Sequence, residues 1–280
     1  MASVTTSRFA HGAIEVVRGD FPRGGFRAAI FDFDGTLSLL RRNWQDVMIP
    51  MMVDILQETG TAESREELYR CVEGFVMRLN GRQTIYQMMR LAEEVAQRGG
   101  RPLDPLEYKH RYHDLLWCQV GVRVDAVRSG RVPPEEMTVP GCREMLGRLR
   151  KAGLELYLAS GTDLKYVRQE ADLLQLSEYF GQHIYGALDD YRRFSKALII
   201  AQMIRDTGVA GRQIVAFGDG FVEMEETKKV GGLAVGVASN EETRQGINAW
   251  KRNRLIQAGA DIILGDYRHH EALLELVGIP

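Results

Sequence analysis

The groups in this 280-residue sequence that could do chemistry together are carboxylates and a hydroxyl, each set where an apolar run ends. In AAIFDFDGTL, residues 28–37, Asp32 and Asp34 stand two apart and directly before Gly35. Side chains at i and i+2 of a strand point the same way, so both acids emerge on one side while Phe31 and Phe33 pack on the other. Burying two bare carboxylates is costly, and the pair therefore asks for a counter-charge, most simply a divalent metal. Their mutual repulsion favours keeping one protonated, which suits a nucleophile beside an acid/base. Taken alone, Asp-Gly is as readily plain turn chemistry as a site.

Two further run-ends shift that balance. YLASGT, residues 157–162, sets Ser160 and Gly161 at a strand end before a helix, where a hydroxyl and free amides can hold phosphate oxygens or simply cap the helix. FGDGFVEMEE, residues 217–226, repeats the arrangement with Asp219 at the strand end and Glu223 four residues later. Acids there could ligate a hard cation through oxygen or balance the helix dipole.

These groups need a frame that brings strand ends together. Compact apolar runs at 28–33, 154–160, 213–219, 232–237 and 260–266 read as buried strands. Between them lie amphipathic segments at 141–151, 163–174, 194–206, 221–230, 241–257 and 269–277. Strand alternating with helix predicts an α/β fold with a doubly wound parallel sheet, whose ligands bind beyond the carboxyl ends of the strands. Residues 13–19 add a peripheral strand.

The stretch 38–135 breaks this alternation and is expected to be an inserted α-helical domain, dividing the core into 1–37 and 136–280. Trp44, Val47, Met48, Met51, Met52, Ile55 and Leu56 form one stripe, kinked or restarted at Pro50. A second helix starts at Ser64 with Glu67 in capping-box spacing, a third ends at Gly99-Gly100, and a fourth starts at Asp104-Pro105. VPPEE, residues 132–136, reads as the exit linker.

Composition narrows the class. Hydrophobic residues make up 45% and charged residues 26%, ordinary for a folded globular chain. A net charge of -2 gives no general pull toward nucleic acid or an anionic membrane, so a small-molecule partner is expected. Cys71, Cys118 and Cys142 are scattered and odd in number, which suggests reduced, packed thiols rather than disulfides or a zinc knuckle. No run approaches a membrane span and MASVTTSRFA lacks a long apolar leader, so the expected location is cytoplasmic.

Read together, DFDGTL, LASGT, YRRFSKALI and FGDGFVE resemble the four motifs of the haloacid dehalogenase superfamily, in order and on the expected elements. The insert sits where members with a helical cap carry it, as in the phosphoglycolate phosphatase and β-phosphoglucomutase branch. The resemblance implies Asp32 as nucleophile, forming an aspartyl-phosphate, and Asp34 as acid and then base. It implies Mg²⁺ on the Asp32 carboxylate, the Asp34 carbonyl, Asp219 and, through water, Glu223. It also implies phosphoryl binding by Ser160 and the Gly161 amide, and charge neutralisation by Lys196. A first-turn lysine is otherwise disfavoured by the helix dipole. The fourth motif usually ends in Asp, so Glu223 is a departure, and Glu225 or Glu226 could take its part.

By the same resemblance, the acid at position 34 implies phosphate esters rather than carbon–halogen bonds, since dehalogenase members lack an acid there. The implied function is a Mg²⁺-dependent phosphatase acting on a small phosphorylated metabolite, with a phosphomutase of the same fold, or a silent binding module, as alternatives. Arg41, Arg42 and Arg82 are candidates for a second charged group on the substrate, and Trp44 and Tyr86 for the pocket wall. His269-His270 lies in a polar stretch and is not read as a metal pair, while Arg192 and Arg193 raise the potential near Lys196.

Overall fold

The computed structural model describes residues 7–188 and 190–280. The first six residues, the start of the expected core domain, lie outside the described residues. In chain order the elements are β1 (Ser7–Phe9), β2 (Ile14–Val16), β3 (Ala28–Phe31), α1 (Gln45–Gln57), α2 (Arg65–Arg78), α3 (Thr84–Gln97), α4 (Pro105–Arg128), α5 (Cys142–Lys151) and β4 (Glu155–Asp163). Then come α6 (Leu164–Leu173), α7 (Ser177–Phe180), β5 (Ile184–Ala187), α8 (Lys196–Thr207), β6 (Ile214–Gly218), α9 (Phe221–Lys229), β7 (Leu233–Val237), α10 (Ala249–Gln257), β8 (Ile262–Leu264) and α11 (His270–Val277).

The strands form one sheet in the order β1-β2-β8-β7-β6-β3-β4-β5. From β8 to β5 every pairing is parallel, and only β2 and β1 join antiparallel at one edge. Strand order reverses at β3, which pairs with β4 on one side and β6 on the other. The crevice beyond β3, β4 and β6 is therefore where such a fold binds ligands.

The central strands are buried on both faces, which is why they read as continuous apolar runs. Alternation still sorts them: Ala29 and Phe31 join the large core with Phe217 and Leu158, while Ala28 and Ile30 join Tyr157, Ala216 and the α8 residues Ile199 and Ile200. Phe31 stacks on Phe217 with ring centroids 4.5 Å apart. Asp32 extends the β3 pairing by one bond, its N–H donating to the Phe217 carbonyl at 2.9 Å.

Four helices occupy the insert between β3 and β4. Ser64 and Glu67 form the capping box of α2, and Asp104 accepts from Leu106 N–H at 2.8 Å to start α4. Pro50 lies inside α1 without dividing it, contrary to the expected restart. The helix is closed on either side of the missing N–H by a stripe of buried Met48, Met51, Met52, Ile55 and Leu56. The insert docks on α6 through polar contacts: Arg41 pairs with Glu170, Lys109 with Asp163, and His113 stacks on Tyr166 at 4.2 Å.

Other sequence expectations need correction. Residues 184–187 form a strand, β5, that was not foreseen because Gly186 interrupts a short apolar run; a Cβ there would meet the Leu164 backbone. The helix expected over 241–257 spans only Ala249–Gln257. Arg244 and Gly246 take positive φ, 55° and 70°, and Asn248 caps the shortened helix by accepting from Lys251 N–H. The exit linker holds a short 3-10 turn, Pro134–Met137. Of the three thiols only Cys142 is buried; Cys71 is half-buried and Cys118 exposed. Among the described residues no helix is long and apolar enough to cross a membrane.

Candidate active site

Beyond the carboxyl ends of β3, β4 and β6 lies a cavity of about 90 Å³ that Asp32, Asp34, Ser160, Gly161, Lys196 and Asp219 line together. The insert supplies its far wall from Arg41, Trp44, Met48, Asn80, Arg82, Tyr112 and Leu116. Glu223 and Arg42 are not among the lining residues, and Tyr86 lines a neighbouring cavity beside Phe194 and Phe221.

Charge in the site is organised as acid–cation–acid trios. The Lys196 ammonium is 2.8 Å from Asp32 Oδ1 and also pairs with Glu223. The Arg41 guanidinium donates to Glu170, Nη2 to Oε1 at 2.6 Å, and its Nε lies 3.9 Å from Asp34 Oδ1. Lys251 Nζ is 2.7 Å from Asp219 Oδ2 and 2.6 Å from Glu241 Oε1. Each cation is thus shared between one acid lining the cavity and one behind it. The outer cations arrive already matched by Glu170 and Glu241, so they leave the negative charge facing the cavity to be balanced by something else.

Burial raises both acids of the first motif, against different partners. Burial raises Asp32, with Lys196 pulling against it and Asp219 adding to the rise. Asp34 is pushed up to about 7, chiefly by burial, with Arg41 opposing and Glu170 and Asp32 reinforcing. Thr162 Oγ1 donates to Asp34 Oδ2 at 2.8 Å and Ser160 Oγ at 3.3 Å, while Asp34 Oδ1 is buried without a hydrogen-bond partner. A carboxyl with its pKa pushed up to about 7 is able to give and to take a proton near neutral pH.

Several positions differ from the sequence-based expectation. Glu223 is buried, at 3% exposure, behind Lys196 rather than in the cavity. Its extra methylene is accommodated by Gly218 and Gly220, where any Cβ would crowd the Glu223 side chain. Glu225 and Glu226 line the neighbouring cavity instead. Ser160 lies inside β4, because the strand continues to Asp163 through a register shift against β5, so no helix N terminus begins at Gly161. The insert comes close at Gly161: a Cβ there would lie 2.9 Å from the Arg82 carbonyl.

Among the arginines, Arg41 pairs with Glu170 and approaches Asp34 while lining the cavity. Arg42 offers its carbonyl to Arg123 at 3.1 Å. Arg82 is exposed at the cavity, its guanidinium over the Phe221 ring at 5.9 Å. Arg192 and Arg193 are exposed, and His270 Nδ1 lies 3.0 Å from the Tyr267 carbonyl.

Four participants were not singled out from sequence: Thr162, Glu170, Glu241 and Lys251. Glu170 had a signal, since it shares the α6 stripe with Val167, Ala171 and Leu174, where an acid is out of place unless paired. Lys251, likewise, falls in the first turn of α10 one turn before buried Leu255, on the side a lysine normally avoids.

A family model described as haloacid dehalogenase-like hydrolase matches residues 26–231, more than half of the chain. No curated protein matches the sequence. Among solved structures, a predicted phosphoglycolate phosphatase from Haemophilus somnus 129PT is similar at a TM-score of 0.58 and 17% identity, covering 89% of this chain and 98% of its own. A putative β-phosphoglucomutase from Thermotoga maritima gives 0.53 and 20%, covering 89% and 99%. A HAD family hydrolase from Deinococcus radiodurans R1, with bound phosphate and sodium, gives 0.52 and 17%, covering 90% and 96%. At these identities the likeness is one of fold.

Proposed function

The chain belongs to the haloacid dehalogenase-like hydrolases, and from that premise we propose that it is a Mg²⁺-dependent phosphatase acting on a small phosphorylated metabolite, such as a sugar phosphate or phosphorylated hydroxy acid. The supporting observation is the shared cavity: Asp32, Asp34, Ser160, Lys196 and Asp219 come from separate parts of the chain and line one space.

The donors suit a hard cation. Asp32 and Asp219 offer oxygen only, and the coulombic push of Asp219 on Asp32 places them within interaction range. Among the described residues no three His, Cys, Asp or Glu side chains form a ready-made metal cluster. Mg²⁺ does not need one, since it keeps several waters and takes one or two carboxylates plus substrate phosphate oxygens. In this reading Asp32, the Asp34 carbonyl and Asp219 hold the ion, and Glu223 acts through Lys196. When bound, the ion supplies positive charge to the phosphoryl oxygens.

In the proposed reaction an Asp32 oxygen attacks phosphorus and the bond to the substrate oxygen breaks, with Asp34 giving that oxygen its proton. Asp34 then takes a proton from water as the water oxygen attacks the aspartyl-phosphate; the Asp32–phosphate bond breaks and inorganic phosphate leaves. Lys196 neutralises charge on Asp32 and the phosphoryl group. Ser160 and the Gly161 amide face the same space, and Thr162 and Arg41 hold Asp34. The insert acts as a cap, boundaries 38–135, that excludes water and selects the leaving group. Trp44, Met48, Tyr112 and Leu116 give it an apolar wall, and Arg82 suits a carboxylate or second phosphate.

A phosphate-release screen over phosphate monoesters, with Mg²⁺ and with chelator, tests the reading. Mg²⁺-dependent release that Asp32→Asn abolishes is expected. Release by the folded Asp32→Asn protein at the native rate would overturn it, and turnover only with a bisphosphate activator would point to a phosphomutase instead.

A further inference from the structure

Lys251 sits in the first turn of α10, where the helix dipole works against a positive charge, and only 6% of it is exposed. Acceptors on three sides hold it there. Nζ lies 2.7 Å from Asp219 Oδ2, 2.6 Å from Glu241 Oε1 and 3.2 Å from Ser239 Oγ, which accounts for all three protons of an ammonium. Ser239 Oγ in turn donates to the Gly35 carbonyl at 2.5 Å, tying the ammonium to the turn after Asp34. Gly35 leaves the space the pair occupies: a Cβ there would collide with Asp219 Oδ2 and lie 3.0 Å from Lys251 Nζ.

Asp219 therefore serves a cation that belongs to the protein while lining the cavity that Asp32 and Asp34 also line. A divalent ion on Asp219 would share the carboxylate with an ammonium one oxygen away, and like charges at that range repel strongly in a partly buried site. Glu241, on the other side of the ammonium, draws it away from Asp219 and offsets that repulsion.

We infer that Lys251 is a resident cation competing with the metal for Asp219, and that the division of Lys251 between Asp219 and Glu241 sets how tightly the site holds its ion. Lys251 is a positioning residue here, acting through Asp219. The inference rests on the reading of Asp219 as a magnesium ligand. It gives opposite signs for two neutralising changes. Lys251→Met keeps the apolar stem and removes the competitor, whereas Glu241→Gln leaves the ammonium to Asp219 alone.

Titration calorimetry of Mg²⁺ into the metal-stripped full chain, without substrate, tests this. Lys251→Met is expected to bind Mg²⁺ about tenfold or more tighter than the native chain, and Glu241→Gln about tenfold weaker. Loss of structural support alone weakens binding and does not tighten it, so the tightening separates the two. Unchanged or weaker binding by folded Lys251→Met overturns the inference. Should that variant not fold, Glu241→Gln on the loop before α10 decides, and unchanged or tighter binding there overturns it as well. Asp219→Asn separates the premise from the inference: native-like Mg²⁺ affinity in that variant would remove the metal reading of Asp219 itself.

Discussion

Replacing Glu170 by Gln tests whether the Arg41 trio is structural as well as electrostatic. Both partners are buried, with side chains 8% and 3% exposed, and Glu170 takes Arg41 Nε at 3.1 Å and Nη2 at 2.6 Å. Charge-assisted hydrogen bonds contribute about 1.5–3 kcal/mol each, and breaking a buried pair from one side costs about 3–5 kcal/mol. Gln keeps the shape and one acceptor, and Asp34 Oδ1, 3.9 Å from Arg41 Nε, takes up part of the stranded charge. The expected loss is therefore about 2–3 kcal/mol. Urea unfolding followed by tryptophan fluorescence measures it, with the slope checked for constancy. Replacing the pair together, Arg41→Met with Glu170→Leu, should recover most of the loss, because the two buried charges leave together and Asp34, with its pKa already pushed up to about 7, can take a proton when Arg41 is gone. A loss below about 0.5 kcal/mol in Glu170→Gln, or a double variant as unstable as the sum of its singles, would refute the reasoning.

Lys196→Met should lower turnover by about 10²–10³-fold, because it removes the side-chain cation that neutralises Asp32 and the phosphoryl group, and should also cost stability, because buried Asp32 and Glu223 lose their shared partner; steady-state kinetics with thermal melts checks both. Gly35→Ala should cost about 2 kcal/mol or more and also weaken Mg²⁺ binding, since φ is +76° and the new Cβ collides with the Asp219 carboxylate itself and pushes it from its place. Gly153→Ala, at φ +83° with open space around it, should cost only about 1–2 kcal/mol and leave Mg²⁺ binding alone. Burial, with Arg41 adding to it, holds His113 below its ordinary pKa of 6.5. The folded state then binds fewer protons than the unfolded one, so stability is lost as pH falls through the unfolded value and the loss levels off below the folded value. Melting curves between pH 8 and pH 5, bounds chosen to span about 6.5, should show a steeper fall for the native chain than for His113→Phe, and parallel falls would contradict this.

The parts of the site made by strand ends were legible because two local signals coincided there: an apolar run that stops, and an acid or hydroxyl at the stop. Asp32, Asp34, Ser160 and Asp219 all have that form, and the strand order brings them together. What local signals missed was pairing across the chain. The resemblance implied that Glu223 reaches a metal through water, and no local signal showed that its carboxylate pairs with Lys196. Arg41 read as a candidate substrate contact, and its pairing with Glu170 was out of sight because Glu170 is 129 residues away in sequence. The loop before α10 read as helix because its charged residues suit one, but Gly246 and Asn248 end that pattern, and the loop delivers Ser239 and Glu241 to Lys251 instead. The insert followed its helical period closely, because its stripes pack largely on one another, α1 against α2 and α3 against α4.

The central claim is that Asp32 forms the covalent bond to phosphorus. Acid-quenched enzyme taken during turnover of a phosphate ester, reduced with borohydride and digested, should show the peptide containing Asp32 with its carboxylate converted to an alcohol, only when Mg²⁺ and substrate are both present. Turnover with Asp32 unmodified, or with the mark on another side chain, would contradict the account.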